Sequence, residues 1–316
     1  GDCQLKLDIT LGPFVNDPLR SVQLGVLAEK LGFNGVWITH DPLWENSWVV
    51  CGGLASNTER IEVGPGIVNP YSSTVVEIAM GSSTLQNMSR GRANLGVGPG
   101  SKKMLEESGL GHRDLLQTLD STIDYLKREL NPETSILRVK PVREVPVFVG
   151  CQSPRLLERI GRWKVGGLIL LTPPGYAGVA LKHISRGYGG SLDEQFRSKQ
   201  IASILCAVDK DENEARKSFA KFIVHILKYL APAQLEYLSI DRKNIAEAEK
   251  SYAEGGWEAL PSRIYELGAV GVEDVIRKIE ALEKVGFTRI KIGSPLGRDL
   301  EKTLELLASD VLPHFR

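Results

Sequence analysis

The feature that most narrows the fold is an alternation of short apolar runs with amphipathic stretches, kept along most of the 316 residues. LKLDITL (5–11) alternates apolar and polar residues with the period of a strand, and SVQLGVLAEKLGF (21–33) then spaces its apolar residues for a helix that Gly32 ends. The plan repeats, with strands predicted at 35–40, 61–68 and 93–98 and helices at 47–56, 75–88 and 115–130. Residues 145–150, 167–171, 200–208 and 289–293 predict the fifth to eighth strands, with a short helix at 154–160. A charged, mostly helical stretch at 212–284 exceeds a simple crossover and predicts a helical insertion between strands 7 and 8. Eight strands with helical crossovers predict an α/β fold in which a parallel sheet closes into a (β/α)8 TIM barrel rather than staying open. No Pro/Gly/Ser-rich linker divides the chain, so 1–316 reads as one domain with an insertion.

Charge excludes two classes of partner. The chain carries 39 basic and 39 acidic side chains, which leaves no net field for nucleic acid or an anionic membrane surface. Apolar runs such as 165–171 fall well short of the roughly 20 residues that span a bilayer, and the N-terminus lacks a basic-then-apolar signal pattern. A soluble protein is expected, with Gly1 a processing scar. Cys3, Cys51, Cys151 and Cys206 are scattered, with no CxxC pair or histidine cluster. That predicts neither a metal site nor a disulfide framework and fits a reducing cytoplasm.

Chemistry is expected at the C-terminal ends of the strands, where such barrels place it. The letters VGPG occur at two of those ends, 63–66 and 97–100. At the second, Gly96, Gly98, Pro99 and Gly100 lead into Ser101 and Lys102. Backbone N–H groups there could converge on an anion beside the lysine charge, or the segment could be a plain type II turn. A third glycine opening an apolar helix is missing, so this is not a dinucleotide fingerprint. At the first VGPG the strand resumes after the turn, which pushes backbone toward the barrel mouth. His40 and Asp41 end the preceding strand and bring an imidazole and a carboxylate to the same opening, although Asp41 before Pro42 also suits a turn.

WITHD, VGPGIVNPY, GRANLGVGPG, VPVFVGCQSPRLLERIG and GSPLGRDLEKTLELL together resemble the bacterial-luciferase-like superfamily, and within it the deazaflavin-dependent methylenetetrahydromethanopterin reductases. The resemblance implies an oxidoreductase that holds coenzyme F420, or FMN in related branches, at the barrel mouth and passes a hydride to or from a small substrate. It implies a third-strand bulge with a non-proline cis peptide, falling on Gly66-Ile67. The ring would lie near Thr39, His40, Asp41, Gly66, Ile67, Val68 and Asn69. The phosphate tail would run toward Gly98 to Lys102 and toward Gly150, Cys151, Gln152 and Ser153. Where those reductases read Asp-His this chain reads His40-Asp41, and Thr10, two residues beyond Asp8 on the same strand face, matches their first-strand carboxylate. His40, Asp41 and Thr10 are the catalytic candidates. Four readings stay open: the deazaflavin oxidoreductase, an FMN-dependent monooxygenase, a flavin- or deazaflavin-binding protein without catalysis, and glycines that serve only as turns. Amphipathic helices in the first half are compatible with a homodimer.

Overall fold

The computed structural model describes residues 4–111, 114–151, 153–230, 235–236 and 239–316. Eight strands form the barrel: β1 (Lys6–Leu11), β2 (Gly35–Ile38), β3 (Glu62–Pro65), β4 (Leu95–Val97), β5 (Val147–Cys151), β6 (Gly166–Ile169), β7 (Gln200–Ala207) and, after a two-residue β8 (Ala269–Val270) that pairs with β7, the long β9 (Arg289–Leu296). Every strand pair is parallel. The last strand sits between β1 and β7, and isolated bridges Val63 to Ala93 and Val68 to Val97 join β3 to β4 and complete the circuit.

Helices follow the strands. The first, α1 (Pro18–Leu31), begins three residues before the periodicity predicts, because Asp17 accepts the Leu19 and Arg20 N–H groups and Pro18 suits the first helical turn. Around the barrel follow α2 (Ser47–Asn57), α3 (Val75–Met88), α4 (Lys102–Glu107), α5 (Leu115–Glu129), α6 (Pro154–Trp163), α7 (Pro174–Tyr188) and α8 (Glu194–Arg197). The stretch 212–284 holds α9 (Glu212–Leu227), α10 (Arg242–Gly255) and α11 (Ser262–Tyr265), which gather around Phe219, Ile223, Leu227 and Ile264. It ends in α12 (Val272–Val285), the crossover into β9.

The alternation along each strand sorts the interior into two kinds of wall. Leu7, Ile9 and Leu11 of β1, Val36 and Ile38 of β2, and Ile290 and Ile292 of β9 belong to the core between sheet and helices. The residues between them, Asp8, Thr10, Trp37, Arg289 and Lys291, therefore face the lumen. On the side of β2, β5, β6 and β7 the lumen is filled by Trp37, Phe148, Leu168 and Ile201. Across β1, β9 and the upper part of β7 it is polar.

Candidate active site

The mouth is assembled from the strand ends. Beyond β2, Thr39 and Asp41 share the inward parity of Trp37, and His40 has the opposite one. The imidazole is fixed accordingly: its Nδ1 lies 2.8 Å from the Ser47 hydroxyl at the start of α2. Burial lowers its pKa and favours the neutral ring. The Asp41 carboxyl has no hydrogen-bonding partner among the described residues, and burial pushes it up to about 6, where it can hold or release a proton near neutrality.

The third strand breaks where its glycine-proline-glycine turn falls. Its ladder with β2 ends as Gly66 N–H donates to the Ile38 carbonyl at 2.8 Å, and the Gly66-Ile67 peptide is cis. Val68 then rejoins the sheet, donating to the Gly96 carbonyl and accepting from Gly98 N–H, both at 2.9 Å. This break puts the Ile67 side chain into the lumen, in space left by the glycines of β4 and β5. A Cβ on Gly98 would stand 2.5 Å from Ile67 Cδ1 and 2.8 Å from the Gly150 carbonyl oxygen, and one on Gly150 would stand 2.7 Å from Ile67 Cγ2. Asn69 is buried and its Oδ1 accepts from the Tyr71 and Ser72 N–H groups, an Asx turn that turns the chain away from the mouth.

The second VGPG ends differently. Gly100 takes a left-handed φ of 71° against Asn69, Ser101 caps α4 by accepting from Met104 N–H, and Lys102 is exposed and 3.8 Å from Glu106. At the end of β5, Cys151 is buried with its thiol pKa pushed up by desolvation, and Ser153 caps α6 through Leu156 N–H. Gln152 lies outside the described residues. Two surface clefts, one bordered by Asp193 to Ser198 and Thr288 and the other by Leu5, Gly32 and Arg316, lie at the opposite, N-terminal end of the strands.

Below the mouth the polar wall holds charges that sequence reasoning missed. Asp8 Oδ2 accepts from Trp37 Nε1 at 2.8 Å and from Arg289 Nε at 2.7 Å. Arg289 Nη1 also pairs with Glu62 at 2.8 Å, and Asn94 donates to the same carboxylate oxygen at 2.7 Å. Burial would raise the Glu62 pKa, but the charges of Arg289 and Lys6 and the Asn94 hydrogen bond hold it at about 2. Among the described residues the Thr10 and Ser203 hydroxyls, Asp8 Oδ1 and Arg289 Nη2 are buried without a partner, and Lys291 lies in register with Asp8 on one side and Ser203 on the other. The signal was present in RIKIG and LKLDIT: barrel strands are normally apolar on both faces, so a charge at every second position marks a polar lumen.

A model of the luciferase-like monooxygenases matches residues 7–289. The chain is 28% identical to a 5,10-methylenetetrahydromethanopterin reductase of Archaeoglobus fulgidus over 92% of this chain and 94% of that protein. It superposes with a TM-score of 0.82 and 25% identity on the coenzyme F420-dependent tetrahydromethanopterin reductase of Methanopyrus kandleri, covering 99% of this chain and all of that one. An F420-dependent secondary alcohol dehydrogenase shares the fold, with a TM-score of 0.75 at 18% identity and 99% of this chain covered.

Proposed function

The chain belongs to the luciferase-like monooxygenase family, and from that premise we propose that it is an oxidoreductase that uses a deazaflavin of the coenzyme F420 type at the barrel mouth to exchange a hydride with a small organic substrate. The observation that carries the reading is the break of the third strand at Gly66, which lays Ile67 across the mouth as an apolar support for a flat ring. The orphaned Thr10 and Ser203 hydroxyls below it fit a ligand with polar edges. The reading is also supported by likeness to a reductase whose structure is described as coenzyme F420-dependent.

When bound, the deazaflavin supplies the hydride-carrying carbon, and the protein supplies orientation and a water-poor pocket. Ile67 and Val68 would support the ring. Gly100, Ser101, Lys102 and Ser153 would hold the phosphate tail. Asp41, with its pKa near 6, would hold or deliver a proton at a substrate oxygen, while His40, held by Ser47, shapes the ring edge as a neutral imidazole. The inverted His40-Asp41 order thus has a geometric meaning: the carboxylate has the inward parity. Exposed Val49, Val76, Met80 and Met88 on α2 and α3 support a homodimer through that side, which light scattering would detect.

Fluorescence titration tests the cofactor assignment, with F420, FMN and NADPH compared in one buffer. F420 should bind most tightly. Tighter FMN binding would replace this reading with an FMN-dependent monooxygenase, and tight F420 binding without any hydride exchange would leave a binding protein only.

A further inference from the structure

Trp37 stands between the charged floor of the lumen and the broken strand at its mouth. Its side chain points inward from β2 and is 1% exposed. One edge of the indole reaches down to β1: Nε1 donates to Asp8 Oδ2 at 2.8 Å, and the same oxygen accepts from Arg289 Nε at 2.7 Å. Another edge reaches up to the platform that Gly66 and Ile67 make at the end of β3. Gly66 carries no side chain, and a Cβ there would stand 3.0 Å from Trp37 Cε3, 3.5 Å from its Cβ and 3.6 Å from its Cδ2, so the indole is the nearest wall on that face. Elsewhere the platform rests on β4 and β5. A Cβ on Gly96 would stand 3.0 Å from Gly66 Cα and 3.2 Å from Ile67 Cγ2, and one on Gly150 would stand 2.7 Å from that same methyl. The indole is itself braced: the Phe148 ring meets it edge to face with centroids 5.5 Å apart, and the Arg289 guanidinium carbon lies 5.9 Å from both ring centroids.

We infer that Trp37 is a positioning residue for the ring platform: through its contact with Gly66 it sets the height at which Ile67 meets a flat cofactor, and Asp8 and Arg289 anchor it from below. The inference rests on the proposed cofactor reading for its catalytic meaning, while the contact itself does not. The residue type is specific to the task. The position needs a donor for Asp8 at one edge and a broad carbon face for Gly66 at another, both on one rigid plane. Phenylalanine lacks the donor, and tyrosine carries its own at the far tip of the ring. Hydride transfer needs the reacting carbons within about 3–3.5 Å, and a misplacement of ~1 Å made far from the chemistry can cost about a hundredfold. A platform of one isoleucine beside a glycine has little rigidity of its own, so that tolerance comes from what stands behind it. The lumen floor thereby bears on cofactor geometry as well as on stability.

The test uses F420 as the probe on the full chain, with fluorescence titration for affinity and the circular dichroism of the bound cofactor's long-wavelength band as the report of how the ring is seated. Trp37→Phe, which removes the donor and narrows the face behind Gly66, should weaken F420 binding at least about tenfold and change that band. Gly66→Ala, which adds a methyl group against the indole, should do the same, and it carries the test if Trp37→Phe does not fold. Ile279→Ala, in the core between α12 and the sheet, destabilises the barrel without touching the lumen and should leave affinity within about twofold of wild type and the band unchanged. In an Ile67→Ala background the further loss from Trp37→Phe should fall below about threefold, since the indole acts through that side chain. A Trp37→Phe affinity within about twofold of wild type, an unchanged band, an equal loss in Ile279→Ala, or losses that add with Ile67→Ala each overturn the inference. Wild type that binds FMN and not F420 overturns the cofactor reading, and the same variants are then read with FMN; wild type that binds F420 with Trp37→Phe unaffected overturns the role of Trp37 alone.

Discussion

Replacing Asp8 with alanine should destabilise the protein far more than any exposed ion pair would. Asp8 is fully buried, and its Oδ2 is the acceptor for both Trp37 Nε1 and Arg289 Nε. Removing it bares a buried guanidinium, an effect of about 3–5 kcal/mol, although Glu62 still holds one end of Arg289 and moves the expectation toward the lower figure. The indole N–H also loses its acceptor, about 1–3 kcal/mol more if no water replaces it. These losses overlap, so Asp8→Ala should cost about 4 kcal/mol in total, and Asp8→Asn, which keeps an acceptor for Trp37, about half of that. Urea unfolding followed by circular dichroism and by tryptophan fluorescence measures the change, and coincident transitions justify a single free energy. A double-mutant cycle with Arg289→Met isolates the pair. A loss below about 1 kcal/mol for Asp8→Ala, or a coupling below about 0.5 kcal/mol, would show that water or relaxation satisfies Arg289 and that the polar wall is not a tightly matched network.

Two further outcomes follow from the mouth. Gly98→Ala adds a methyl group 2.5 Å from Ile67 Cδ1 and 2.8 Å from the Gly150 carbonyl, so it should displace Ile67, weaken F420 binding at least about tenfold and cost about 1–3 kcal/mol of stability, whereas Gly178→Ala, which meets nothing, should leave F420 binding unchanged. The Asp41 pKa is raised in the folded protein, so the folded state holds the proton more tightly and wild type should lose stability relative to Asp41→Asn as pH rises from about 4 to 6, with the difference constant above that; urea midpoints measured across pH 3.5 to 8 check the sign, and a difference that grows on acidification contradicts it.

The order of strands and helices was legible because period-two and helical runs alternate so regularly, and the third-strand break was legible because its glycine-proline-glycine letters interrupt an apolar run that then resumes. Other parts were hidden by their own physics. Helix α7 escaped notice since it opens on prolines and carries Gly175, Gly178 and Gly187, poor helix formers. Yet a Cβ on Gly187 would stand 1.7 Å from the Glu158 carbonyl, and one on Gly161 2.1 Å from that of Ile184, so glycine there lets α6 and α7 touch backbone to backbone. The eighth barrel strand was cut short at Gly293, whereas it continues through a cis Ser294-Pro295 bond to Leu296. At the site, glycine was expected to admit a ligand to the backbone, and at Gly98 and Gly150 the space is instead taken by Ile67, a contact between strands that no local pattern encodes. Lys291 was passed over because a lysine in a strand normally reads as solvent-facing, and only closure of the sheet makes that face an interior.

The bond between Asp8 and Arg289 joins residues 281 positions apart, between the first and last strands of the circuit. On a ribosome adding roughly 5–20 residues per second, the carboxylate emerges about 15 to 60 seconds before its guanidinium exists. Throughout that interval the nascent chain carries an unmatched anion on the face of β1 that must become interior, which opposes premature closure of the first seven strands into an incomplete ring. A chain released before Arg289 would retain that mismatch permanently. The same contact that locks the finished barrel thus ties its closure to completion of the last strand.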